Sequence, residues 1–161
     1  MKIAIVHQHV PADAPADERD VLDQAAAIRG ALASRGHNVS VLPCTSDLGN
    51  VQRKLDVLNP DCIFNLVETL EGSGRLIHLA PALWEVKGWP FAGSSSEALY
   101  LTTHKLLAKE RMLAAGLPTP AWVVRSANAN RPLLYGCDED ASADWITKSV
   151  WEHASVGLGD G

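Results

Sequence analysis

The chain has 161 residues, of which 47% are apolar and 20% charged, and it carries a net charge of −5. That length suits one full domain, or one domain and part of another, and the composition excludes an intrinsically disordered chain. Lysine and arginine are scattered singly, which excludes a basic stripe for nucleic acid, and no apolar run approaches the roughly 20 residues that cross a bilayer.

Residues 2–7 form a short apolar run, as in a strand buried on both faces. The run is too short for a signal peptide, and polar His7-Gln8-His9 follows it directly. A polar, proline-bearing loop covers 9–15. Asp17 then caps a helix in which Val21, Ala25, Ile28 and Leu32 recur at helical spacing, until Gly36 ends the pattern. Residues 38–42 alternate weakly and predict a second strand. Leu48, Val51, Leu55 and Leu58 mark a second amphipathic helix, closed by Asn59-Pro60. Residues 61–66 predict a third strand and 72–74 a loop. A helix is expected over 76–86, with Pro81 at its start or at a kink and Gly88 as its stop. Residues 89–92 make a short fourth strand.

This alternation predicts an α/β fold: a Rossmann-like open, mostly parallel sheet with helices on both faces. In such sheets ligands sit at the carboxyl ends of strands, which singles out the loops after His7, Leu66 and Ala92. Further on, Ser94 and Glu97 have the spacing of a capping box. A helix follows over 103–115, stopped by Gly116, with Pro118 and Pro120 behind it. A domain boundary is expected between residues 101 and 119. Beyond it, 121–124 and 145–150 predict strands, with one more short strand near 133–135. The segment 153–161 is a loop of small residues with nothing to close it, so the chain is expected to be part of a longer protein. Cys44, Cys62 and Cys137 stand far apart without a C-x-x-C pair, as expected of free thiols in a reducing cytosol.

The chemistry-bearing candidates each have a plainer reading. Lys148 stands near the end of a predicted strand, ahead of Ser155, Val156 and Gly157. An ammonium followed by small residues can clamp phosphate, because backbone N–H groups then approach closely. This is not a Walker A loop, since the Gly-Lys-Ser/Thr order is absent. Spacing alone favours a surface lysine before a loop. Lys105 and Lys109, one turn apart, read on their own as a solvated helix face. The run Asp17-Glu18-Arg19-Asp20 either favours the helix dipole or presents a carboxylate to a substrate ammonium. His7 and His9 lack a local third ligand, so no metal site is assigned. Glu68 and Glu71 either touch substrate or form a charged loop rim.

Three segments in order carry a resemblance: Gly88-Trp89-Pro90-Phe91-Ala92-Gly93-Ser94, His104-Lys105-Leu106-Leu107-Ala108-Lys109, and Gly116-Leu117-Pro118-Thr119-Pro120. The chain resembles the D-alanine–D-alanine ligase branch of the ATP-grasp superfamily, which has an aromatic before Gly-Ser, an Asp-Lys-x-x-x-Lys helix and Gly-x-Pro-x-Pro. The resemblance implies a pre-ATP-grasp substrate-binding domain over residues 1–100, a linking helix over 101–118, and the incomplete beginning of an ATP-grasp domain over 119–161. It implies an ATP-dependent, cytoplasmic ligase that phosphorylates a carboxylate to an acyl phosphate, which an amine then attacks. By matching position, Lys105, Lys148, Ser155, Val156 and Gly157 are implied at ATP and Glu18 at the first substrate's ammonium. Magnesium is implied, with its ligands outside this chain, so the chain alone is expected to be inactive. The implied partners are a small amino acid or related carboxylate, and a homodimer is compatible with the family. No catalytic residue is assigned. His104 stands where the family has Asp, Ser149 where it has Pro, and Glu68 and Glu71 lie in a segment that replaces its His-Gly and Glu-Asp-Gly signature. Two other readings stand beside it: a free-standing Rossmann-like module that binds a small ligand without catalysis, and a non-catalytic partner subunit.

Overall fold

The computed structural model describes residues 1–14, 16–124, 133–135 and 145–152. Four strands, β1 (Lys2–Gln8), β2 (Asn38–Cys44), β3 (Cys62–Leu66) and β4 (Phe91–Ala92), form a parallel sheet in the order β2-β1-β3-β4. Ile3 pairs with Val39 on one side and Cys62 on the other, so β1 is central, and every residue from Ile3 to Gln8 is buried. That explains a first strand written as an unbroken apolar run rather than an alternation.

Parallel neighbours need crossover connections, and these are the helices α1 (Ala16–Ser34), α2 (Leu48–Leu58) and α3 (Leu79–Lys87). Successive strand residues point to opposite faces. Ala4 and Val6 share one buried cluster with Val51 and Leu55 of α2 and Ala80 and Trp84 of α3, which places both helices on one face. Ile3 and Ile5 are buried outside that cluster, while α1 packs on β1 and β2 and buries Val21 and Ala25. Helix α1 therefore covers the opposite face. Right-handed crossovers require this: the chain steps one way from β1 to β2 and the other way from β2 to β3.

Local chemistry sets the ends of these elements. Asp47 caps α2, its Oδ1 accepting from the Asn50 N–H at 2.9 Å. Asn59 closes α2 in the left-handed region, at φ 43°, and its N–H donates to the Leu55 carbonyl. Pro81 falls in the first turn of α3, where its missing N–H has no intrahelical partner to lose. A short 3-10 turn, Gly74–Leu76, precedes α3, so the helix begins later than its sequence periodicity suggests.

Two helices follow, α4 (Ser96–Thr103) and α5 (Lys105–Ala114), then an antiparallel pair, β5 (Trp122–Val124) and β6 (Leu133–Tyr135). Three expectations need correction. The cap of α4 is Ser95 rather than Ser94, accepting from the Ala98 N–H at 3.2 Å. The helix expected from Thr103 begins two residues later, at Lys105, because His104 ends α4 and caps α5 with its ring. Residues 145–150 are not a strand: they join no ladder among the described residues, and Ile146 is 80% exposed. Their apolar character satisfies the local requirement of a strand, but a strand also needs an edge to pair with.

Candidate functional site

The chain reverses its direction of travel across the sheet at β1, so the crevice beyond the carboxyl ends of β1 and β3 is the topological switch point. Gln8 and Leu66 end those strands. Gln8 is buried, and its Oε1 accepts from the Glu68 N–H at 3.1 Å, tying the loop after β3 to the end of β1. His7 is also buried, and its Nδ1–H donates to the Gln8 carbonyl at 2.6 Å. In the neutral ring this leaves Nε2 as an acceptor. The Asn65 side chain accepts from the Val67 N–H at 3.4 Å and lies against Gly93, whose φ of 133° favours glycine just past β4.

Glu71 and Gly72 both have positive φ, at 51° and 69°, and Leu70 bridges to Ser73 across them. That is the geometry of a tight hairpin turn. Glu71 holds the turn against the loop after β2, its Oε1 accepting from the Ser46 N–H at 3.2 Å. The Ser46 hydroxyl, then its N–H, hold the Glu71 carboxyl below its ordinary range, with nearby His9 acting the same way. Glu71 is thus a tie between loops rather than only a rim charge. Glu68 is exposed beside it.

The second cluster forms where α5 begins. Lys105 is half-buried; its N–H donates to the Val150 carbonyl at 3.0 Å and its ammonium to the Glu152 carbonyl. Lys109 is also half-buried, donating to Thr119 Oγ1 at 2.9 Å and the Pro120 carbonyl at 2.7 Å, with its Nζ 4.9 Å from the Trp122 ring centroid. The two lysines are therefore not a solvated face. Lys109 fixes the link into β5, and Lys105 fixes the segment that carries Lys148. Lys148 itself is exposed.

His104 organises this junction. Its Nδ1 accepts from the Leu107 N–H at 3.2 Å, so the proton of the neutral ring sits on Nε2. Its ring meets Trp151 edge-on at 4.4 Å. Sequence reasoning missed Trp151, Gln8 and the tie through Glu71. A tryptophan in a polar stretch and a glutamine closing a buried strand were the signals that could have found the first two.

Lys105 and the Lys148 segment are brought together. Glu18 lies on α1 on the other side of the sheet from α2 and α3, exposed, and its side chain bonds to no described residue. Ser155, Val156 and Gly157 lie outside the described residues. Two ammonium groups on tethered segments are a donor set that fits a polyphosphate. Among the described residues no group of three or more His, Cys, Asp or Glu is placed to hold a metal ion. Likewise, no described helix is long and apolar enough to cross a membrane. A groove lined by Lys2, Asn38, Val57 and Pro60 lies at the amino ends of the strands, away from both clusters.

No protein-family model matches the chain. The chain is 31% identical over 124 residues to the D-alanine–D-alanine ligase of Moorella thermoacetica, covering 76% of this chain and 37% of that protein. It is 31% identical over 131 residues to the ligase of the same name from Coprothermobacter proteolyticus, covering 81% and 41%. A third, from Oleidesulfovibrio alaskensis, is 34% identical over 114 residues, covering 70% and 35%. The chain thus spans well under half the length of these relatives, and over most of its own length it is related to ATP-grasp ligases.

Proposed function

From this relationship we propose that the chain is the N-terminal part of an ATP-dependent carboxylate–amine ligase. Residues 1–100 form its pre-ATP-grasp substrate domain, 101–118 the link, and 119–161 the start of its ATP-grasp domain. The observation that carries the reading is Lys105: a half-buried lysine at the start of α5, tethered through Val150 and Glu152 to the segment bearing Lys148. A lone surface lysine would be solvated and mobile. Here partial burial and the Glu152 carbonyl hold one ammonium, and the Lys105 N–H bonded to Val150 holds the helix start, beside the segment that supplies a second.

ATP, when bound, supplies the γ-phosphoryl group that turns a carboxylate into a good acylating agent. A substrate carboxylate oxygen takes that group and releases ADP; an amine then displaces phosphate at the acyl carbon, leaving an amide bond. The work of this chain's own residues is electrostatic. Lys105 and Lys148 neutralise phosphate charge, and Ser155, Val156 and Gly157 supply backbone N–H groups over it. Glu18, and the crevice walled by Gln8 and Glu68, receive the ammonium of an amino-acid substrate. The magnesium ligands lie outside this chain. The crevice departs from the family pattern at Asn65, Glu68 and Glu71, which leaves the amino acid open.

The test is nucleotide affinity of the full-length gene product. Lys105→Ala is expected to raise the ATP Kd about tenfold or more, the loss of one charge-assisted phosphate contact. Equal affinity in wild type and variant would refute the assignment.

A further inference from the structure

Glu152 joins two regions that the sequence keeps far apart. Its Oε2 accepts from the Gly74 N–H at 3.4 Å, in the turn that follows β3. Its carbonyl accepts from the Lys105 ammonium, and its N–H donates to Ser149 Oγ at 3.3 Å. The preceding residue seats this arrangement. Trp151 packs against Tyr100 at 5.5 Å and His104 at 4.4 Å between ring centroids, with the Arg75 guanidinium 5.6 Å from its ring. Residues 149–152 are therefore a strap, fastened to the α4–α5 junction at one side and to the 70–75 turn at the other.

A lysine ammonium has three donors, and the Glu152 carbonyl takes one. The remaining donors can meet a phosphate without displacing the strap. A side chain already held in place loses less rotamer freedom on binding than a free lysine does. The 70–75 turn is closed by the Leu70–Ser73 bridge and held to the loop after β2 through Glu71, and it follows Glu68, whose N–H donates to Gln8 at the end of β1. The strap thus links the phosphate lysine to the wall of the substrate crevice.

We propose that Trp151 and Glu152 are positioning residues that preset Lys105 for a nucleotide and couple its occupancy to the 70–75 turn; this rests on the nucleotide reading of Lys105. Phosphate at Lys105 fixes the ammonium that also donates to the Glu152 carbonyl, and the strap so ordered holds the Gly74 amide; by reciprocity, an ordered turn favours phosphate equally. A nucleotide then stiffens the substrate crevice before the second substrate arrives.

Hydrogen exchange of peptides spanning 70–76, in the full-length gene product with and without ATP, tests the coupling. In wild type ATP slows this exchange about threefold or more. Glu152→Ala removes the carboxylate that the Gly74 N–H reaches and leaves the backbone carbonyl on Lys105, so it abolishes the slowing while ATP still binds. Glu152→Gln keeps an acceptor for the Gly74 N–H and restores most of the slowing, a rescue that a generally loosened fold would not give. Arg75→Ala, which leaves both hydrogen bonds intact but removes one of the three described contacts on Trp151, weakens the slowing in the same direction. Slowing that survives in Glu152→Ala, or its absence in a wild type that binds ATP through Lys105, overturns the coupling alone. ATP binding unchanged by Lys105→Ala overturns the nucleotide reading and the coupling with it.

Discussion

At the scale of the residue, charge placement decides function more than residue type does. Lys105 and Lys148 are alike in sequence, yet one is half-buried and tethered and the other exposed. An exposed lysine contributes when charge develops near it, so Lys148→Ala is expected to lower kcat/KM for ATP in the full-length gene product. A contact that strengthens in the transition state should cost on the order of 2–4 kcal/mol when lost. Unaltered steady-state kinetics would mark Lys148 as an ordinary surface group. The carboxylates illustrate a different use of charge. Ser96 donates to Glu85 through its hydroxyl at 2.5 Å and its N–H at 2.8 Å, and these hold the Glu85 carboxyl below its ordinary range. A depressed carboxylate stabilises the fold above its unfolded-state pKa, and that contribution disappears as pH falls through the lower folded value. Urea midpoints should therefore drop less between about pH 6 and pH 3 in Glu85→Gln than in wild type; parallel acid limbs would show the contact to be inconsequential. Cys44 shows the opposite shift, its buried thiol pushed up to about 11, as suits a core residue rather than a nucleophile.

Among the elements, α2 and α3 show how much more packing contributes than capping. The α2 cap is a single exposed hydrogen bond that Asp47 accepts from the Asn50 N–H. Its loss in Asp47→Ala should cost about 1 kcal/mol. Trp84 of α3 is fully buried among Val6, Leu55, Ile63 and Leu70, and Trp84→Ala should cost about 3–5 kcal/mol. Equilibrium denaturation of both variants gives the contrast directly, and a cap variant as damaging as the core one would contradict this division. The break at His104 belongs to the same scale. A continuous helix from Thr103 would carry Lys105 on past the junction; the break lets the ring cap α5 and face Trp151.

For the whole molecule, the parallel sheet with its flanking helices encloses its own core, whereas among the described residues beyond it Trp145 and Ile146 stay exposed. Ile3 to Val6 are buried, but Trp145 is 45% and Ile146 80% exposed. A two-stranded pair such as β5 and β6 is marginal in water unless something covers it. Hydrogen exchange on the 161-residue chain should show slow amides over 3–6 and fast ones over 145–150, or protection there that grows with protein concentration. Slow, concentration-independent exchange over 145–150 would identify that segment as part of a finished domain, and the partial-ligase reading would lose support.

The sequence by itself determined the sheet. Apolar runs, helical periods and the punctuation of Gly36, Asn59-Pro60 and Gly88 are local signals, and each element from β1 to β4 lies close to where they put it. It also carried the relationship to the ligases, because His104-Lys105 and the Gly-x-Pro-x-Pro segment are contiguous in the chain. Only the tertiary structure decided which of these residues act together. The Gln8–Glu68 bond spans 60 residues and the Glu152–Gly74 bond 78. Neither is encoded by any local period, because each depends on where the folded sheet brings its loops. The same cause explains the failed strand over 145–150. Strand formation depends on a partner edge, and an edge is a property of the assembled fold rather than of the segment that would pair with it.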